Sequence, residues 1–250
     1  MSNAVPKPPP AEGRPRSVRD PTFYPVEEKV GQDSLQTLIV ELLRPLIERW
    51  LAGLGTPAFV GADQFIFYKQ YDPSKVVAPD VYVLPGVPPT RRVKSWKVWK
   101  TGIAPSLALE VVSQDEPYKD YVDAPERYRE LGVKELVIVD PDSERSPDRV
   151  RWQRYRKLKL RGFVRVEVTN EDRIHSRVLG CWLRVVGEGG GARVRLATGP
   201  SGEELFPTAE EAERASKEAE RAAKEAERAA KEEALRRIAA LEALLAERGG

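Results

Sequence analysis

The chain has 250 residues, with 41 lysines and arginines against 39 aspartates and glutamates, so a net charge of +2 names no partner by bulk attraction. A single cysteine, Cys181, excludes an internal disulfide and a cysteine-built metal site, and a single histidine, His175, leaves metal chemistry to carboxylates. No apolar run approaches membrane-spanning length and the N-terminus lacks a signal-peptide core, so the expected setting is cytoplasmic with no membrane partner.

Residues 1–30 are proline-rich, polar and aperiodic, and read as a disordered or extended arm. A globular domain is expected over 31–206 and a separate helix over 207–250. Asp33-Ser34 is a good helix cap. Behind it Leu35, Leu38, Ile39, Leu42, Leu43, Leu46, Ile47, Trp50, Leu51 and Leu54 recur at helical spacing. Pro45 predicts a kink in this helix, and Gly53 and Gly55 its end.

Short strands are expected near Ala58 to Val60 and Phe65 to Tyr68. Val77 to Val83 reads as one apolar strand carrying one acid, Asp80. Pro85 to Ile103, with its prolines, tryptophans and cations, reads as a loop. Leu107 to Ser113 is a continuous apolar run interrupted by Glu110, the pattern of a strand covered on both faces. A carboxylate in such a place is costly unless it is paired, hydrogen-bonded or bound to a cation. Two of them on neighbouring strands make a seat for a hard divalent cation with oxygen ligands.

Asp123 with Pro125 marks a helix start, and Gly132 its end. Lys134 to Pro141 is the next strand. Strand, helix and strand within so few residues have the size of a parallel crossover unit. Val150 to Val168 reads as a hairpin around Gly162, and Cys181 to Ala197 as another around Gly187 to Gly191. His175 lies in the polar stretch Asp172 to Ser176 and reads as an ordinary surface residue. The fold class is therefore α/β, a mixed sheet flanked by helices.

The first hairpin concentrates positive charge. Arg149, Arg151, Arg154, Arg156, Lys157, Lys159, Arg161 and Arg165 come with no acid between the first and last, and Trp152 and Tyr155 are interleaved. Arg91, Arg92, Lys94, Lys97 and Lys100, with Trp96 and Trp99, form a second cluster. Cations follow phosphates and aromatics stack on exposed bases, so DNA contact is expected, chiefly through Arg151, Arg154, Arg156, Lys157 and Lys159. The competing explanation is a solvated strand face whose cations discourage edge pairing.

From Pro207 the composition changes. An Ala-Glu-Arg-Ala-x-Lys-Glu unit recurs between Ala212 and Glu232, with Glu213/Lys217, Glu220/Lys224 and Glu227/Lys231 in the helix-stabilising orientation. After a stutter, Ala234, Ile238, Leu241 and Leu245 form a stronger apolar stripe. A long, coiled-coil-like helix is expected. It is either solvated and single or pairs into a homo-oligomer through its Ile238 to Leu245 end, since alanine buries little area.

Taken together, Pro79-Asp80-Val81-x-Val83, Leu109-Glu110-Val111-Val112-Ser113 and Ala124-Pro125-x-Arg127-Tyr128-x-x-Leu131-Gly132-Val133-x-Glu135-Leu136-Val137-Ile138-Val139-Asp140-Pro141 resemble the Uma2 endonuclease family, over roughly residues 30 to 205. The resemblance implies a restriction-endonuclease-like (PD-(D/E)xK) fold. It implies that Asp80 and Glu110 bind Mg²⁺ or Mn²⁺, which would polarise a phosphodiester and activate water. A lysine normally completes that set. Here the position two residues after the glutamate is Val112. The alternative position, four residues before the tyrosine, is Ala124. Lys119, in the loop entering the helix, is the nearest replacement. Each residue also has a purely structural explanation: Asp80 as a turn cap, Glu110 as half of a buried ion pair, Lys119 as a surface lysine, Tyr128 and Leu131 as core. The function expected is metal-dependent hydrolysis of DNA. The alternatives are a catalytically impaired nucleic-acid-binding module of the same fold, or an assembly protein working through its C-terminal helix.

Overall fold

The computed structural model describes residue 22, residues 34–113 and residues 119–248, with the backbone only at 34, 119, 120 and 241–248. The arm expected over 1–30 lies, residue 22 apart, outside the described residues.

Helix α1 is Ser34–Gly53. Leu35, Ile39, Leu43, Leu46 and Ile47 form its buried stripe, three and four residues apart. The helix runs through Pro45, where a kink was expected; the proline removes one backbone donor without ending the helix.

Strands β1 (Ala58–Gly61), β2 (Phe65–Phe67), β3 (Val76–Val77), β4 (Val81–Pro85) and β5 (Ser95–Lys97) follow, then the single turn α2 (Val98–Thr101) and strand β6 (Leu107–Val111). A π-helical turn at Lys119–Asp123 leads into α3 (Ala124–Leu131), then β7 (Glu135–Val139), β8 (Trp152–Leu158) and β9 (Gly162–Thr169). Strands β10 (Arg173–Ser176), β11 (Cys181–Val186), β12 (Arg193–Thr198) and β13 (Glu204–Leu205) precede the long helix α4 (Ala209–Arg248).

The central sheet has the order β1-β4-β6-β7-β8-β9. Its β6–β7 pair is parallel, as the crossover predicted, and the remaining pairs are antiparallel. Alternate residues of these strands enter two different cores. Val81, Val83, Leu107, Leu109, Val137 and Val139 pack with α1 and the sheet β10-β11-β12-β13. Tyr82, Leu84, Ala108, Val112, Leu136 and Ile138 pack with α3 on the other face, along with Ile66, Val77 and Trp96 of the small sheet β3-β2-β5. Both faces are covered, which is why these strands read as unbroken apolar runs.

Two expectations are corrected, and one further stretch gains an element. The run Val77 to Val83 is not one strand: β3 pairs with β2, while β4 joins the central sheet. Pro79 between them has no N–H for a ladder, and its carbonyl instead accepts the N–H of Asp63 at 2.9 Å. The expected loop from Pro85 to Ile103 contains β5, which pairs parallel with β2, and α2. The polar stretch around His175 is β10; Ile174 and Ser176 point inward, so its period of two rests on only two residues. Gly61 is fixed by contact: a Cβ there would lie 2.2 Å from Cζ of Tyr82.

Candidate active site

Asp80 immediately precedes β4, and Glu110 lies near the end of β6. The register Val81↔Leu109 and Tyr82↔Ala108, continued by one residue, sets Asp80 opposite Glu110. Asp80 is 3% exposed. Its Oδ2 accepts the backbone N–H of Val111 at 2.6 Å, and its Oδ1 accepts Nε2 of Gln36 on α1 at 2.6 Å. Glu110 Oε1 accepts the hydroxyl of Tyr128 on α3. The two carboxyls are also hydrogen-bonded to one another. The Asp80 carboxyl is pushed up to about 7, first by burial and further by the charge of Asp63; the bonds from Val111, Gln36 and Glu110 pull it down.

Two carboxyls in bonding contact, one buried, cannot both ionise cheaply; a shared proton or a bound cation relieves the repulsion. Among the described residues no group of three or more His, Cys, Asp or Glu side chains could hold a metal ion. The pair still suits Mg²⁺, which is commonly bound through one or two carboxylates and completes its shell with waters and substrate phosphate. The donors are all oxygens, as a hard cation requires.

The usual lysine positions are part of the core. Val112 is 3% exposed and Ala124 8% exposed, both packed in the cluster under α3. Lys119 begins the π-helical turn that feeds α3; its side chain lies outside the described residues.

The basic hairpin separates into unlike parts. Val111, Val139, Trp152 and Thr169 form one row across β6, β7, β8 and β9, so the start of β8 shares an edge with the carboxylate pair. Arg151 stands at that edge. Lys157 and Lys159 lie at the far end of a seven-residue strand, about 20 Å away at 3.3 Å per residue. Both are exposed, as is Arg161. Arg154 is 8% exposed, paired with Glu167 at 2.5 Å and bonded to the His175 carbonyl. Arg156 faces the buried Glu135 at 3.6 Å. The interleaved aromatics are core residues: Trp152 is wholly buried, Tyr155 is 9% exposed and Trp96 is 3% exposed. Trp152, Tyr155 and Trp96 therefore offer no stacking platform for bases.

Gln36, Asp63 and the acid-centred group around Asp140 were not singled out by sequence. Asp140, wholly buried at the end of β7, accepts Nε and Nη2 of Arg149 at 2.6 and 2.7 Å and the Tyr121 hydroxyl. Its signal was available, an isolated acid at the end of an apolar strand. Gln36 carried only the weak signal of a polar residue beside an apolar stripe. Tyr128 was read as core, which it is, at 1% exposure; its hydroxyl bond to Glu110 is additional.

The family described as "Uma2: Putative restriction endonuclease" matches residues 26–185, well over half of the chain. The chain belongs to the Uma2 family. Its architecture is accordingly the restriction-endonuclease-like mixed sheet with flanking helices, extended by α4. Among solved structures, a "putative nuclease belonging to DUF820" from Anabaena variabilis is similar, with a TM-score of 0.42 and 13% identity, covering 62% of this Uma2 chain and 78% of that one. No curated protein matches. Among the described residues, no helix of this Uma2 protein is long and apolar enough to cross a membrane.

Proposed function

We propose that this Uma2 protein is a metal-dependent endonuclease that hydrolyses DNA phosphodiester bonds in the cytoplasm. The observation that carries this reading is the Asp80–Glu110 pair: two carboxyls in contact at one edge of a mixed sheet, one of them 3% exposed. Asp80 and Glu110 would hold Mg²⁺ or Mn²⁺. Such an ion, when bound, supplies Lewis-acid polarisation of the phosphodiester and lowers the pKa of a water.

The chain's own groups do the rest. Val111 N–H and Gln36 fix the orientation of Asp80, and Tyr128 fixes Glu110. Lys119, in the turn after β6, is the candidate cation for charge developing on the phosphate. Exposed cations of the β8–β9 hairpin and of the 91–100 segment attract the polyanion.

The test is plasmid cleavage with Mg²⁺ or Mn²⁺. Asp80→Asn and Glu110→Gln should each abolish cutting, and Lys119→Ala should lower the rate with little change in metal affinity. Undiminished cutting by Asp80→Asn would sink the assignment.

A second reading has its own support: with Val112 and Ala124 both packed in the core, the fold can bind nucleic acid without cutting it. In that case no divalent metal yields cleavage while DNA binding remains steeply salt-dependent. The exposed stripe of α4, with Leu235 58% and Ile238 52% exposed, supports an added role in self-association.

A further inference from the structure

Beyond the carboxylate pair, the same edge of the central sheet carries a polar cleft of about 490 Å³ between the β7–β8 connection and the end of β9. Ser143, Glu144, Ser146, Arg149, Arg151 and Asn170 line it. The row Val111–Val139–Trp152 puts this cleft two strands from Glu110's end of β6. At roughly 4.8 Å per strand that is about 10 Å. One nucleic-acid strand rises about 3.4 Å per phosphate, so two or three nucleotides cover the distance.

The geometry points to this cleft as the seat of a backbone phosphate of the DNA strand, a few nucleotides from the bond held at Asp80 and Glu110. This rests on the nuclease reading and adds the path of the substrate to it.

Arg151 is the group that would take the phosphate. Its backbone N–H is bonded to Asn170 Oδ1 at 2.9 Å and its Nη1 donates to the Asn170 carbonyl at 3.1 Å, so the guanidinium is anchored on the β9 end. Its side chain is only 19% exposed, and its Nε is buried without a hydrogen-bond partner among the described residues. Among the described residues the carboxylate on it is Glu144, at 2.7 Å and 83% exposed. An ion pair with so exposed a partner contributes little, because water screens it and ordering the glutamate costs entropy. A phosphate offers the same fork of oxygens that a carboxylate does, with more charge. Glu144 thus occupies the place of an anion that can displace it cheaply. Arg149 does not compete for this role, since the buried Asp140 takes its Nε and Nη2. The cations at the hairpin tip are also separate, being about 20 Å up the strand.

The experiment is anisotropy of a labelled DNA duplex against salt, on the full chain without divalent metal, so that binding is read apart from cutting. Glu144→Gln removes a repelling charge and frees Arg151. It should tighten binding several-fold and steepen the plot of log affinity against log salt. Arg151→Gln should weaken binding roughly tenfold and flatten the slope by about 0.9, the value for one phosphate contact. Arg151→Lys should keep most of the slope, which a purely structural role of the Asn170 anchor would not predict. Thermal melts of each variant exclude misfolding.

The inference is overturned if Glu144→Gln leaves affinity unchanged while the combined Lys157→Ala, Lys159→Ala, Arg161→Ala variant loses it. DNA would then follow the hairpin tip, and the nuclease reading would survive. A parent protein that binds no DNA at any salt overturns both.

Discussion

Tyr128 donates its hydroxyl to Glu110 from a ring that is 1% exposed in the core beneath α3. One side chain thus packs the helix against the sheet and orients a carboxylate of the candidate site. Tyr128→Phe keeps the ring and loses the bond, which should cost about 2 kcal/mol, as for hydrogen bonds to charged groups. Tyr128→Ala should cost about 4 kcal/mol, because a cavity is added. Urea denaturation measures both. Magnesium titration by calorimetry should show weaker binding in Tyr128→Phe, whose Glu110 is no longer oriented.

Asp80 makes stability depend on pH. Its folded pKa of about 7 lies above the ordinary 3.8. Between these values the native state keeps a proton that the unfolded state has lost. The stabilisation is fully present below about pH 4 and is lost as pH rises through about 7, by a few kcal/mol at most in the metal-free protein. Asp80→Asn should remove this slope and be more stable than the parent at pH 8. Thermal melts from pH 5 to 8 in EDTA check the sign; a parent that gains stability over that range contradicts it.

Glu135 ties two sheets together. It is wholly buried, accepts Ser176 Oγ at 2.5 Å and the N–H of Arg177 at 3.1 Å, and faces Arg156. Glu135→Ala leaves Ser176 buried without its acceptor and should cost about 3 kcal/mol. Glu135→Gln keeps an acceptor and should cost less. Denaturant midpoints of the two variants, compared with the parent, test the order.

The start of α4 belongs to the domain. Thr208 and Glu211 form a reciprocal cap, with Thr208 N–H on Glu211 Oε2 at 2.8 Å and Glu211 N–H on Thr208 Oγ1 at 3.1 Å. Arg195, 8% exposed, pairs with Glu211 at 2.7 Å and donates to the Phe206 carbonyl, while Phe206 packs edge-on against Trp50. A chain ending at Phe206 should therefore lose about 1–3 kcal/mol, the cost of an unpaired buried donor, whereas one ending at Ala215 should melt like the parent. Light scattering on the Ala215 truncation tests pairing: a lower mass than the full chain supports association through the Ile238 end, and an unchanged mass supports a solvated single helix.

Much of this was written in local pattern. Isolated acids inside apolar runs, Asp80 and Glu110, announced themselves because a carboxylate between apolar residues needs a partner. The crossover to β7, the two hairpins and the repeat of α4 followed from periodicity and turn residues. The resemblance in Pro79–Val83, Leu109–Ser113 and Ala124–Pro141 named the family that the comparison then matched. Less legible were β3 and β10, too short to show a period, and Gln36, whose partner Asp80 lies 44 positions away.

Sequence by itself determined the long helices and the longer strands, and which carboxylates could not stand alone, because both follow from neighbours along the chain. Tertiary structure alone decided what each cation and aromatic is available for. The register across β6, β7 and β8 sets Arg151 on the same edge as the carboxylates and Lys157 and Lys159 at the opposite edge, and burial takes Trp152, Tyr155 and Arg154 into the core. Strand periodicity fixes the face of a side chain. Pairing between strands distant in sequence fixes which edge it reaches, and desolvation fixes whether its charge is still free.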